Sequence, residues 1–425
     1  MNRGAYDLAI IGGGAAGLMA AAWLSEQYKG KSEAPTVVLL EKMPRCGRKI
    51  NITGKGRCNI TNTRMWDEFS PHVHPNNQFF KNAFYNFSSM DTMDFFKSIG
   101  LEITVERGQR VYPKSMRAMD VTDSLVNHIR RCGVVEIRTS FEVSEITHHD
   151  LFEIKSSDDC LASRKLLITT GGLSYPSTGS SGDGYLFAKA LGHSIVHCRP
   201  SLTALIPAGY REKDGNLSSF GKSLNGLQLK NVALSLEVNS NVVQEEFGDV
   251  DFTDGGIEGS LGFRLSRKAV EALDNGQKVA VLLDLKPALS QEQITQRIKR
   301  ESSTGNNTVK YLLSKLLPRQ LVSPFLTMNR QLATMSNGEA ARLLPQLLKS
   351  LRFEIMSYVG FERCVVTNGG VSLKEVSQKT MESKLVEGLY FAGEVLDLDG
   401  DTGGYNLQIA FSTAVLAVKN AMSAA

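Results

Sequence analysis

The chain has 425 residues, a net charge of +4, and an ordinary balance of 42% hydrophobic and 22% charged residues. This excludes a disordered or fibrous protein, and at roughly 150 residues per domain the length suggests about three domains or one large discontinuous one. The 38 glycines exceed the usual ~7%, lack the period of collagen, and fall in clusters.

Residues Tyr6–Ile11 read as a buried strand. The run Gly12-Gly13-Gly14-Ala15-Ala16-Gly17 follows, then a small apolar helix over Leu18–Leu24. Val37–Leu40 is a second buried strand ending at Glu41, with Tyr28–Pro35 as a surface connector. Met43 to about Asn77 is loop-rich. Helices are predicted over Ser89–Gly100 and Asp120–Cys132. Strands are predicted over Val134–Arg138, Phe141–Ile146, Phe152–Lys155 and Leu166–Thr169. About Ile195 to Leu285 is β-rich, with strands at Leu227–Ala233 and Leu234–Val238; Ser290–Leu351 reads as helical. Strands return at Cys364–Thr367 and Leu389–Phe391, and a last helix covers about Leu407–Met422. The β-rich and helical blocks thus read as insertions into a nucleotide-binding domain that the C-terminus closes.

No apolar run of about 18 residues occurs, so no transmembrane helix is expected, and the N-terminus lacks a signal-peptide pattern. The six cysteines form no C-x-x-C pair and the histidines show no metal-ligand spacing, so no metal is expected. Reduced thiols fit a cytoplasmic protein. The basic run Lys42–Arg57 carries no interleaved aromatics and reads as a phosphate-facing or solvated loop, so no nucleic-acid or membrane partner is expected. The residues give no oligomeric state.

The pattern Gly12-x-Gly14-x-x-Gly17 follows a strand, opens a helix and precedes a second strand that ends in an acid, which is the dinucleotide-binding arrangement. Gly12 permits the tight turn, Gly14 leaves room for a pyrophosphate, and Gly17 lets the helix pack on the sheet. The amides at the helix start, from Ala15 and Ala16 onward, face the phosphates. Glu41 is the candidate acceptor for the ribose hydroxyls and disfavours a 2′-phosphate there. Phe391-Ala392-Gly393-Glu394 ends a late strand, and Asp401-Thr402-Gly403-Gly404-Tyr405-Asn406-Leu407-Gln408 opens the last helix. Such a second element suits FAD better than NAD, because a helix N-terminus stabilises the flavin edge that becomes anionic on reduction.

Four stretches carry a closer resemblance: Ile10–Leu18, Gly47–Asn62, Thr169–Tyr185 and Thr380–Ala414. The chain resembles the FAD-dependent oxidoreductases that include aminoacetone oxidase and 3-dehydro-bile-acid Δ4,6-reductase. The resemblance implies bound FAD and an α/β fold: a Rossmann-like FAD-binding domain with an inserted β-rich, barrel-like domain and a small helical domain. The expected boundaries are 1–194 and 371–425 for the FAD domain, 195–285 and 348–370 for the β-rich substrate domain, and 286–347 for the helical domain. It carries cofactor contact onto Lys42, Arg48, Gly54, Gly56, Arg57, Cys58, Asn59 and Thr61, onto Val143 on the crossover strand, and onto Thr170 and Gly171. Gly393, Glu394, Gly404, Asn406, Leu407 and Gln408 complete the expected set. Two departures stand out. The family's Thr-His-x-Gly-Ile-x-Gly-Pro-like turn reads Thr253-Asp254-Gly255-Gly256-Ile257-Glu258-Gly259-Ser260 here, and Lys55 interrupts a glycine run.

Tyr175 and Tyr405, each beside a glycine-rich segment, are the candidate catalytic residues. The leading expectation is a reductase in which NAD(P)H, docking transiently, reduces the flavin, and a hydride then passes to an activated C=C bond of a small apolar substrate. The alternatives are an amine oxidase producing hydrogen peroxide and a flavin-bound binding protein without turnover.

Overall fold

The computed structural model describes residues 4–302 and 308–423. Two compact units divide the chain: residues up to Arg199 with those from Val365 onward, and Pro200–Cys364.

In the first unit, β1 (Tyr6–Ile11) leads through the glycine turn into α1 (Ala15–Tyr28) and β2 (Val37–Leu40). Later elements are α2 (Ala118–Cys132), β3 (Val135–Arg138), β4 (Glu145–His148), β5 (Phe152–Lys155), β6 (Cys160–Ile168), β7 (Leu389–Phe391) and α3 (Tyr405–Ser423). The sheet runs β3-β2-β1-β6-β5-β4, with β7 also pairing β6. Strands β3, β2, β1, β6 and β7 are parallel, and Ile10 lies between Leu39 and Leu167. Leu8, Ala9 and Ile10 are fully buried, as expected of a parallel strand covered on both faces by helices. β5 and β4 continue the sheet in antiparallel pairing.

The second unit is a closed barrel of six strands: Leu205–Pro207, Gly256–Glu258, Asn241–Thr253, Gln228–Val238, Val279–Asp284 and Leu351–Tyr358. Val232, Leu234 and Leu236 alternate inward. The helices Gln291–Ser302, Val309–Leu316, Arg319–Met328 and Asn337–Lys349 share one apolar core with the barrel. The Rossmann-like α/β fold with an inserted barrel and helices is therefore present.

Several local expectations change. α1 starts at Ala15, directly after the last turn residue, rather than at Leu18. The pair of strands expected at Leu227–Val238 is one continuous strand, because the run never meets a breaker. Inside the block read as β-rich lies a helix over Gly259–Asp274, whose Leu261, Leu265, Ala269 and Ala272 keep helical spacing. The stretch before Asn77 gives way to a helix over Asn77–Asn86, capped by the Asn76 side chain. Leu351, expected in a helix, begins a strand. His148 ends β4 and stacks on Phe152. Val143 is not on a strand: β4 begins at Glu145, and the preceding residues follow the end of β2 through Phe141 N–H donating to Glu41 O.

Candidate dinucleotide site

The turn after β1 is built by close backbone approach. A Cβ at Gly12, where φ is +103°, would lie 2.6 Å from Thr169 O, and one at Gly17 would lie 1.9 Å from Gly12 O. Both positions therefore exclude a side chain. Gly14 differs: a Cβ there would meet no protein atom within 4 Å. The amides of Ala15, Ala16 and Gly17 have no backbone acceptor among the described residues, and Gly14 as N-cap offers none from a side chain. The start of α1 thus presents donors toward open space.

That space is an open cleft lined by Gly12, Gly14, Glu41, Lys42, Arg48, Val143 and Thr170, among others. Glu41 Oε2 accepts from Gly13 N–H at 2.7 Å and Oε1 from Met43 N–H at 2.8 Å. Burial raises its pKa, while these amides and the nearby Lys42 and Arg48 work against the rise. A carboxylate has about four lone-pair sites, so two remain for hydroxyls. Lys42 is bound across the cleft to Asp183 Oδ2 at 2.5 Å and to Ser181. Arg45 and Arg48, both exposed on the cleft wall, have no ion pair among the described residues. Gly47, next to them, is tied to the turn by its N–H donating to Gly13 O at 2.8 Å.

A second group joins the first. A Cβ on Gly393 would lie 2.9 Å from Ala16 Cβ, so the late turn packs on the start of α1. Glu394 accepts from Lys49 Nζ at 3.0 Å, Ser174 Oγ at 2.6 Å and Thr367 N–H at 2.9 Å. Burial alone would raise its pKa, but Lys49 and the hydrogen bonds hold it below the usual value. Gly171, with φ +74°, lies beside Lys49. Tyr175 is half-buried with φ +52°, an uncommon conformation for a bulky residue.

A third group forms where the segment Gly54–Thr61 meets the start of α3. Gly54, Lys55, Gly56 and Cys58 are all left-handed. Cys58 is fully buried, which pushes its thiol up to about 12, so its side chain serves packing. Arg57 points away from the cleft, over the Tyr112 ring at 4.7 Å and 3.6 Å from Glu106. Asn59, in the amide orientation that satisfies both its ends, accepts from Gly404 N–H at 3.0 Å and donates to Val111 O and Thr61 O. Thr61 Oγ1 donates to Gln408 Oε1 at 2.7 Å, and Gln408 is fully buried against Phe87 O and Ser412. Its side chain is thus fully engaged within the protein, and its N–H donates to Gly404 O at 3.4 Å. Asn406 clamps Gly400 from both sides, accepting from its N–H at 2.8 Å and donating to its O at 2.7 Å. The amides of Asn406 and Leu407 have no backbone acceptor among the described residues.

Beside this joint lies a cluster that sequence reasoning missed. Arg64 donates to the Tyr405 hydroxyl and lies 3.0 Å from His72 Nε2. His72 Nδ1 is 2.7 Å from Asp401 Oδ2, and His74 Nε2 is 3.2 Å from Asp401 Oδ1. Burial pushes Tyr405 up to about 12, against the pull of Arg64. The only hint in sequence is His72-x-His74, where His72 ends the short 3-10 turn Ser70–His72 and His74 lies on the strand Val73–His74 that follows; their acid lies 329 and 327 positions away. Lys49, Ser174 and Thr367 were missed for the same reason. A separate group outside the cleft, Glu26, His128 and Cys132, brings potential ligand atoms within 4.8 Å of one another, although Arg131 also approaches His128 Nδ1 at 3.3 Å.

Fold and turn together define a Rossmann-type dinucleotide-binding protein with an inserted barrel. The family described as HI0933-like protein Rossmann domain matches residues 6–420, and the chain belongs to that family. It is 30% identical, over 98% of each chain, to a 3-dehydro-bile acid delta(4,6)-reductase of Clostridium scindens. It is also 30% identical, over 96% of each, to a ribosomal RNA dihydrouridine synthase of Escherichia coli. Among solved structures, a 3-ketosteroid delta1-dehydrogenase from Sterolibacterium denitrificans aligns over 100% of both chains with a TM-score of 0.51 and 11% identity, a likeness of fold. No described helix is long and apolar enough to cross a membrane.

Proposed function

We propose that this oxidoreductase binds FAD and reduces a carbon–carbon double bond conjugated to a carbonyl. The observation that carries the reading is the glycine turn, with α1 amides that have no backbone acceptor among the described residues facing an open cleft and Glu41 beside them on its wall. The residues fit the cofactor: Gly14 leaves the room a pyrophosphate needs, Arg45 and Arg48 bring unpaired charge, and Glu41 keeps capacity for a diol. The expected contacts at Val143, Thr170, Gly171, Gly393 and Glu394 follow on that path, and the amides of Asn406 and Leu407 would face the flavin. The names of the two relatives support the reaction class, because a delta(4,6)-reductase and a dihydrouridine synthase both add two hydrogens to a double bond conjugated with a carbonyl.

FAD, when bound and reduced by NAD(P)H, supplies the hydride. The substrate takes that hydride at its β-carbon, the π pair moves toward the carbonyl, and the α-carbon needs a proton. Tyr405 is the proton donor in this reading. Its hydroxyl is protonated at neutral pH, and the phenolate left behind lies beside Arg64 until solvent returns the proton.

A second substrate reading rests on charge. The outer half of the basic run, Lys55 and Arg57, is exposed; Arg57 packs on Tyr112 and Glu106 of the sheet formed by Thr61–Asn62, Arg110–Pro113 and Ile103–Glu106, which also carries Arg110 and, in its turn, the exposed Arg107. Such a rim suits the phosphates of RNA, and it revises the expectation that no nucleic acid is involved. The inner half, Lys42 and Lys49, is spent on Asp183 and Glu394.

The test is to identify the cofactor released from purified protein and to follow anaerobic bleaching by NADH, NADPH and small amines. FAD bleached by a nicotinamide is the expected result. Folded protein without flavin, or bleaching by amines alone, would sink the reading.

A further inference from the structure

Every proton in the Tyr405 cluster can be placed by elimination. A guanidinium has only donors, so Arg64 must donate at both its contacts, to the Tyr405 oxygen and to His72 Nε2. His72 Nε2 is therefore the acceptor and carries no proton. The Nδ1 position then holds the hydrogen, which points at Asp401 Oδ2 2.7 Å away. Asp401 is anchored in turn: its N–H donates to His72 O at 3.0 Å, its other oxygen meets His74 Nε2, and Asn406 donates to its O. The Tyr405 oxygen is occupied by Arg64, and among the described residues no acceptor faces the Tyr405 proton. The ring itself is fixed by Phe69 at 4.8 Å and by His72 at 4.6 Å.

We infer that Asp401, His72 and Arg64 form a positioning chain that keeps the buried Tyr405 hydroxyl as a hydrogen-bond donor, with His72 fixed as the neutral tautomer protonated at Nδ1. The inference rests on the reading of Tyr405 as proton donor, and it adds three residues that do not touch the reacting atoms. Asp401 selects the tautomer, as a carboxylate behind a histidine does elsewhere. The tautomer offers Arg64 a lone pair, and Arg64 leaves the hydroxyl only one direction in which to donate. The groups facing His72 are Arg64, Asp401 and the Tyr405 ring, with His74 across Asp401 and Arg110 beside Gly403. A doubly protonated His72 would set donor against donor at Arg64 and release it.

The experiment uses the full-length protein with its cofactor, labelled with 15N-histidine. Long-range proton–nitrogen correlation at neutral pH should show His72, assigned by loss of its signal in His72→Gln, as the neutral Nδ1-protonated form. An Nε2-protonated or doubly protonated ring would overturn the inference. Turnover of a 4,6-dien-3-one steroid gives the second readout. Arg64→Gln and His72→Leu should each lower kcat about 100-fold with KM little changed. His72→Gln, whose amide can accept from Arg64 and donate to Asp401, should recover most of the loss in His72→Leu. Equal loss in His72→Gln and His72→Leu would also overturn it. If Tyr405→Phe turns over the steroid like the parent while the tautomer is as stated, the proton-donor reading fails and the hydrogen-bond chain stands.

Discussion

Two strand–turn–helix joints in this protein use the same backbone device in opposite ways. The joint at Gly12–Gly17 is bare: glycines bring backbone onto backbone, and no side chain caps α1. The joint at Gly400–Leu407 is held by side chains, with Asn406 on Gly400, Asn59 on Gly404, Asn62 on Gly403 and Arg64 on Tyr405. Among the described residues, both leave first-turn amides without backbone acceptors. The difference shows two routes to one end. The first excludes side chains so that a phosphate can reach the backbone, and the second recruits them so that donors and a tyrosine keep fixed directions.

Substitution can break the bare joint outright. Gly17→Ala places a methyl 1.9 Å from Gly12 O, so the loss should exceed the ~1–3 kcal/mol typical of overpacking, with little folded protein recovered. Gly14→Ala sharpens the contrast: its methyl meets no protein atom, so the cofactor-free melting temperature should hold, within about 0.5 kcal/mol of stability, while flavin content falls. Equal melting temperatures for the two variants would contradict the packing account. Lys49→Met should cost about 3 kcal/mol, because it strands the Glu394 carboxylate, whose side chain is 18% exposed. Adding Glu394→Gln should restore part of that, as denaturant melts would show.

Acid should act on the side-chain-held joint. Asp401 is half-buried, which alone would raise its pKa, but hydrogen bonds from His72 and His74 hold it well below the ordinary range. A carboxylate depressed in the folded state contributes stability above its unfolded pKa near ~4, and that stability is lost as pH falls through the lower folded value. Melting temperature should therefore drop below about pH 4, with a shallower slope in Asp401→Asn; an unchanged slope would remove Asp401 from the account. The smallest effect belongs to Arg57→Ala. Its ion pair with Glu106 is half-exposed, so losing it should cost at most ~1 kcal/mol and leave flavin content unchanged; loss of flavin would tie Arg57 to the cofactor.

What was legible in the sequence follows the same division. The bare joint depends on residues close in the chain, so Gly12, Gly14, Gly17 and Glu41 announce it by spacing. The centre of the Rossmann sheet was readable because β2, β7 and most of β1 are continuous apolar runs. The held joint depends on pairs such as His72–Asp401 and Thr61–Gln408, separated by 329 and 347 positions, and no local pattern marks such pairs. Gln408, expected to offer its backbone N–H to the cofactor, also carries a side chain that completes a buried network no local pattern announces. The helix Gly259–Asp274 was missed for a different reason: its periodic Leu261, Leu265 and Ala269 were present but lay among strand-like neighbours.

The central claim is tested most directly by reducing the purified protein anaerobically with NAD(P)H and then adding an oxidant. Return of flavin absorbance on adding a 4,6-dien-3-one steroid or a uridine-containing RNA, matched by one saturated bond per flavin, is the predicted result. Flavin that stays reduced with both and is reoxidised only by oxygen would contradict it.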